Sequence, residues 1–134
     1  METRKTILVV DDTPEIAHLL REVLELGGHR VLVAPTADLG MQILRAFRVA
    51  LVLTDALYST DAEPGDIWSD LDRLVRAAGS VPLILYAPDK PHCYAEYAAH
   101  GFAACLTKPL DLDGLPALVD SLLIAEGSAP TREG

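Results

Sequence analysis

The sequence predicts an α/β domain in which a five-stranded parallel sheet carries helices on both faces. Short apolar runs alternate with segments of helical periodicity, and this alternation repeats five times along the chain. The apolar runs are continuous, as expected of strands that are covered on both faces. Five such strand–helix units in 134 residues favour one doubly wound sheet with the strand order 2-1-3-4-5.

The first half of the chain contains three predicted strands and two predicted helices. The strands lie over 7–10, 31–33 and 49–53. The first helix begins at Thr13-Pro14-Glu15, where an N-cap hydroxyl, a proline at the first helical position and an early acid are typical of a helix start. Gly27-Gly28 ends this helix, and apolar spacing over 37–44 marks the second.

The second half completes the alternation. Strands are predicted over 83–85 and 102–106, and helices after Gly65, over 91–100 and over 113–125. Pro116 is compatible with the last helix because it lies in the first turn. Residues 1–125 therefore form one predicted domain. The small and polar residues 126–134 form a short, flexible C-terminal tail.

Composition excludes several classes of partner and environment. The chain has 11 Lys and Arg against 20 Asp and Glu, and its net charge of −9 argues against nucleic acid as a direct partner. No apolar run approaches the roughly 18 residues of a membrane span. Two cysteines do not make a disulfide framework in a domain of this size. We therefore expect a soluble cytoplasmic protein that contacts no membrane.

Charged residues follow three strands that should end at one edge of the sheet. Asp11-Asp12 follow strand 1, Asp55 follows strand 3, and Lys108 follows strand 5. In this strand order, ligands bind beyond the carboxyl ends of strands 1 and 3. Three ionised carboxylates repel one another, and a hard cation such as Mg²⁺ relieves that repulsion. A carboxylate, a Mg²⁺ site and a lysine are the groups needed to transfer a phosphoryl group to an aspartate.

Each of these features has an ordinary structural explanation when it is considered alone. An Asp pair after a strand is more often a helix cap than a metal site. A single Asp in that position usually stabilises a turn, and a Lys-Pro pair usually just ends a strand. The functional interpretation depends on their conjunction at the ends of neighbouring strands.

The pattern resembles the receiver domain of bacterial response regulators, over residues 5–125. The residues that carry the resemblance are the apolar strand 7–10 with Asp11-Asp12, the run 50–55 ending in Asp55, Val81-Pro82, and the segment 106–110 around Lys108. The resemblance implies a flavodoxin-like receiver fold and a phosphoryl group carried on Asp55. It also implies a sensor histidine kinase, or a histidine phosphotransfer protein, as the donor.

The resemblance also implies a role for each residue of the site. Asp12 would bind Mg²⁺ directly and Asp11 mostly through water, and the backbone carbonyl of Leu57 would add a further ligand. Lys108 would pair with Asp55 or with its phosphate.

Three departures from the family pattern concern the loop and the switch. The Met-Pro that usually follows the acceptor is replaced by the acidic segment 56–64. The Ser or Thr that normally ends strand 4 is Ala87 when counted from Pro82, and Tyr86 when counted from Lys108. The aromatic residue expected three positions before the lysine is Cys105. These are the atypical switch positions.

The first functional hypothesis is a stand-alone phosphoacceptor module of a two-component system or phosphorelay, which acts by contacting an unidentified downstream protein. The alternative is a degenerate receiver that binds partners independently of phosphorylation. The complete acidic site favours the first, and the missing switch pair favours the second. Beyond slow self-phosphorylation from small donors and self-dephosphorylation, we expect no enzyme activity.

Leu123 and Ile124 extend an apolar stripe of the last helix that permits a homodimer face.

Overall fold

The computed structural model describes residues 5–55, 68–87, 97–107 and 112–132. Within these ranges, helices and strands alternate as the apolar pattern predicts up to the fourth strand, and residues 88–96, between the fourth and fifth strands, lie outside the described residues. In chain order they are β1 (Thr6–Val10), α1 (Pro14–Leu26), β2 (Arg30–Ala34), α2 (Ala37–Ala46), β3 (Leu51–Asp55), α3 (Trp68–Ala78), β4 (Leu83–Ala87), β5 (Ala104–Thr107) and α4 (Leu115–Arg132).

The five strands form one parallel sheet in the order β2-β1-β3-β4-β5, which confirms the predicted topology. At the carboxyl end of β1, Val10 pairs with Ala34 of β2 on one side and with Thr54 of β3 on the other. Asp55 pairs in turn with Tyr86 of β4. The residues that follow β1 and those that end β3 are therefore neighbours across the sheet.

Two hydrophobic cores lie on opposite faces of this sheet. Leu8 and Val10 of β1 pack on the side of α2 and α3, in what we call the α2/α3 core. Ile7 and Val9 pack on the side of α1 and α4, in the α1/α4 core. All four side chains are fully buried. Both faces of the strand are thus covered, which is why its sequence is continuously apolar.

The last helix differs from its prediction in length and in one exposed face. It runs from Leu115 to Arg132, whereas the sequence analysis ended it near Ala125. The added segment contains Gly127 and Pro130, which are the poorest helix formers, so local propensity does not account for the extension. Leu123 is only 6% exposed and packs within the α1/α4 core, so it does not contribute to an exposed dimer face. None of the helices in the described ranges is both long and apolar enough to span a membrane.

A hydrogen-bonded turn precedes β5 and packs against α3. The predicted helix over 91–100 falls partly outside the described residues, and its described end, 97–100, forms turns. The indole of Trp68 stacks on the imidazole of His100, with ring centroids 3.9 Å apart and an interplanar angle of 2°. Nδ1 of His100 lies 2.9 Å from a carboxylate oxygen of Asp72. These contacts fix the first turns of α3 against the chain that enters β5.

Gly101 should be the most sensitive glycine of this junction. Its φ of +98° strains any L side chain, and an added Cβ would lie 2.8 Å from Cγ1 of Val75. We expect Gly101→Ala to lower the free energy of unfolding by about 2 kcal/mol or more, as measured by urea denaturation. Gly28 has a similar φ of +92° but no atom within 4 Å of its added Cβ. Gly28→Ala should therefore cost less, and equal losses in the two variants would show that the Val75 contact contributes nothing.

Candidate functional site

Three carboxylates meet where β1 and β3 end. Asp11 and Asp12 follow β1 directly, and Asp55 is the last residue of β3. One carboxylate oxygen from each residue lies within 4.8 Å of the corresponding oxygens of the other two. The parallel pairing of β1 with β3 produces this proximity, since both strands end at the same edge of the sheet.

Asp11 is the most buried of the three residues, with 2% of its surface exposed. Its backbone N–H continues the sheet by donating to the carbonyl of Ala34 at 3.0 Å. Its Oδ1 accepts a hydrogen bond from the backbone N–H of Thr13 at 2.8 Å. Thr13 is the N-cap of α1, as the sequence predicts, but its hydroxyl makes no capping bond. Asp11 therefore orders the chain that enters α1, in addition to facing the other two carboxylates.

The arrangement suits a hard divalent cation. Asp12 is exposed and Asp55 is half-buried, so the cluster opens toward solvent. Two unit charges about 4 Å apart repel each other by about 1 kcal/mol in water and about 4 kcal/mol near a protein surface. Oxygens on opposite sides of a Mg²⁺ ion are about 4.2 Å apart, so the three carboxylates fit around one such ion with little adjustment. The donor set, all carboxylate oxygen, is the one that Mg²⁺ prefers.

Tyr86 reaches this site from inside the protein, and sequence reasoning did not foresee the contact. Its side chain is fully buried in the α1/α4 core. Its hydroxyl donates to Oδ2 of Asp11 at 2.6 Å. Burial raises the pKa of the Tyr86 phenol, and the hydrogen bond to Asp11 and the nearby negative charges of Asp11, Asp55 and Asp12 raise it further. The phenol is therefore a permanent donor. The signal in the sequence was a tyrosine within a buried aliphatic strand, because a buried hydroxyl needs a partner.

The other two atypical switch positions lie on neighbouring strands. Ala87 ends β4 and pairs with Thr107 of β5. Cys105 is half-buried in β5 and packs against the α2/α3 core. Burial raises the pKa of the Cys105 thiol, which is therefore protonated near neutral pH. Cys105 thus fills its position as a small apolar residue, without the ring that the family usually places there.

Several predicted site residues lie outside the described residues. They are Lys108, the carbonyl-bearing Leu57 and the acidic segment 56–64. Strand β5 ends at Thr107, the residue before Lys108, at the same edge of the sheet as the carboxylates. The roles expected of these residues stay predictions.

Curated relatives of the chain include regulatory proteins, although no protein-family profile matches it. It is 27% identical over 135 residues to the transcriptional regulatory protein GlrR of Escherichia coli, covering 95% of this chain and 28% of that protein. It is 34% identical over 82 residues to the DNA-binding response regulator MtrA of Mycolicibacterium smegmatis, covering 61% of this chain and 34% of that protein. The chain thus corresponds to about a third or less of the length of these relatives.

Solved structures of receiver domains match nearly the whole chain. The signal receiver domain of an HD domain-containing protein from Pseudomonas fluorescens Pf-5 superposes with a TM-score of 0.80 at 25% identity. The match covers 94% of this chain and 99% of that one. The sheet order, the regulatory relatives and this likeness agree with the resemblance seen in the sequence. The chain has the fold of the receiver domains of two-component response regulators, and response regulators are among the proteins to which its sequence is similar.

Proposed function

We propose that this receiver domain is a phosphoacceptor signalling module that carries a phosphoryl group on Asp55 with Mg²⁺ as its cofactor. The observation that supports this most strongly is the cluster of Asp11, Asp12 and Asp55 at the carboxyl ends of β1 and β3. An ionised aspartate is already a nucleophile and needs no general base. A carboxylate oxygen of Asp55 would form the new bond to phosphorus as the bond from phosphorus to the donor nitrogen breaks.

The proposal assigns the surrounding groups as follows. Asp12 and Asp55 would hold Mg²⁺ directly, Asp11 would do so mostly through water, and the backbone carbonyl of Leu57 would be a further ligand. When bound, Mg²⁺ neutralises the charge that gathers on the phosphoryl oxygens. Lys108 would add a second positive charge for those oxygens.

The proposed donor is a sensor histidine kinase or a histidine phosphotransfer protein, and the site of action is the cytoplasm. The proposed output is a contact with another protein. The net charge of −9 is unfavourable for contact with a phosphate backbone. DNA binding is named for MtrA, of which this chain corresponds to 34%, and is not extended to this domain.

Phosphorylation by a small donor tests the proposal. After treatment with acetyl phosphate and Mg²⁺, intact-mass measurement should show one added phosphoryl group on the wild-type protein and none on Asp55→Asn. Asp120→Asn, which changes an exposed acid of α4 in the same way, should be labelled like the wild type. Labelling of Asp55→Asn would show that the acceptor is another residue. Absence of labelling in every variant would favour the adaptor that works independently of phosphorylation.

A further inference from the structure

The buried phenol of Tyr86 forms part of the inner wall of the acidic site. Tyr86 lies in β4, opposite Asp55 of β3, and its hydroxyl bonds to Asp11, which follows β1. Since β3 separates β4 from β1 in the sheet, the ring spans the end of β3 on the α1/α4 side. The hydrogen bond thus links β4 to the residue that follows β1.

Tyr86 and the start of α1 together hold both oxygens of Asp11. Oδ1 accepts from the Thr13 backbone N–H at 2.8 Å, and Oδ2 accepts from the Tyr86 hydroxyl at 2.6 Å. With 2% of its surface exposed, Asp11 depends on these protein donors more than on water. Short hydrogen bonds to a carboxylate are among the stronger ones and fix its orientation. The position of Asp11 is therefore set from the protein interior.

The same bond bears on how strongly the site attracts a cation. Each carboxylate oxygen has two lone pairs, so Asp11 keeps capacity for a cation or for a water of its shell. A hydrogen-bond donor and a cation nevertheless draw on the same negative charge, so a carboxylate that already has a strong donor attracts a cation less. We propose that Tyr86 is a positioning residue that holds Asp11 in place and lowers the affinity of the acidic site for Mg²⁺. This inference rests on the proposed function in that Mg²⁺ binds at this cluster.

Tyr86→Phe isolates the hydroxyl, because it removes one oxygen and keeps the ring in the core. Tyr97→Phe is the matched control, since Tyr97 is only partly buried and packs against the α2/α3 core on the other face. The Mg²⁺ dissociation constant should be measured by isothermal titration calorimetry for all three proteins. Tyr86→Phe should bind Mg²⁺ about three- to tenfold more tightly than the wild type, and Tyr97→Phe should match the wild type. In EDTA the melting temperature of Tyr86→Phe should fall below that of both other proteins, and saturating Mg²⁺ should narrow the gap.

A double-mutant cycle with Asp11→Asn tests whether the effect passes through Asp11. In the Asp11→Asn background, adding Tyr86→Phe should change Mg²⁺ affinity by less than twofold. An equal gain in both backgrounds would overturn the proposal, as would unchanged or weaker binding by Tyr86→Phe alone. If the wild-type protein binds no Mg²⁺, the metal assignment of the proposed function fails together with this inference. If the wild type binds Mg²⁺ and Tyr86→Phe binds it equally, only the role of Tyr86 fails.

Discussion

Replacing Asp12 by Asn is expected to weaken Mg²⁺ binding at least about tenfold and to raise the melting temperature of the cation-free protein. Asp12 is the exposed member of the cluster, and its charge is both a ligand for the cation and a source of repulsion toward Asp11 and Asp55. Affinity for a hard cation falls with the number of charged ligands. Removing Asp12 leaves one repelling pair where there were three, and each lost pair contributes about 1 kcal/mol at an exposed position.

Calorimetric titration with Mg²⁺ and thermal melts in EDTA measure the two effects of this substitution separately. With few protein ligands, the wild-type dissociation constant should lie in the millimolar range. Glu22→Gln is the charge-matched control, because it removes one negative charge from an exposed residue of α1 that pairs with His18 at 3.1 Å. Glu22→Gln should leave Mg²⁺ binding unchanged. Wild-type affinity in Asp12→Asn would remove Asp12 from the metal site.

Phosphorylation is expected to alter amide chemical shifts more over residues 56–66 and 87–91 than over residues 92–106. In the family, a hydroxyl at the end of strand 4 and an aromatic ring on strand 5 usually relay the signal, and neither group is available for that role here. Ala87 has no hydroxyl, and the Tyr86 hydroxyl is bonded to the buried carboxylate of Asp11. Cys105 has no ring to relocate. Without the charge-assisted hydrogen bond from that hydroxyl to the phosphate, the coupling between phosphorylation and the change of conformation is weaker by roughly 1.5–3 kcal/mol. A ligand shifts an equilibrium only by its differential affinity for the two states, so the phosphorylated domain should largely keep its resting shape.

Two-dimensional NMR with and without beryllofluoride, a phosphoryl mimic, would measure this distribution of shifts. Asp55→Asn is the control, and the mimic should leave its spectrum unchanged. The double variant Ala87→Thr with Cys105→Tyr supplies both a hydroxyl and a ring, and should move part of the response into residues 92–106. Wild-type shifts over 92–106 as large as those around Asp55 would show that the domain relays the signal by other residues.

The fold could be predicted from the sequence because several independent signals agree. Continuous apolar runs indicated strands buried on both faces, and the pairing of Val10 with both Ala34 and Thr54 confirms a central β1. Element boundaries were less certain, since they depend on tertiary hydrogen bonds. The fifth strand is an example. Its apolar residues predict a start at Phe102, but β5 begins at Ala104, next to the hydrogen bond from the Ala103 N–H to the carbonyl of Leu83.

The interior half of the candidate site could not be predicted from local patterns. Periodicity shows which face of a strand is apolar, but not how far a long side chain reaches across that face. Tyr86 and Asp11 are 75 positions apart in sequence, and their bond exists only because β4, β3 and β1 are adjacent in the sheet. Counting along the chain therefore left Tyr86 as an alternative for the switch position. In the structure its hydroxyl donates a hydrogen bond to Asp11. Thr13 is the N-cap of α1 as predicted, but its hydroxyl makes no capping bond, and the backbone there is held by Asp11, which local patterns did not indicate.

The stacking of Trp68 on His100 allows one junction of the protein to be followed by tryptophan fluorescence. Trp68 is the only tryptophan in the chain and the first residue of α3, which follows the segment after Asp55. Its emission therefore reports a single location, the place where α3 meets the turn before β5. Any movement that separates α3 from this turn would unstack the indole, expose it to water and shift its fluorescence to longer wavelength. Trp68 is thus an intrinsic fluorescence probe of the contact between α3 and the turn that leads into β5, the strand that bears Cys105.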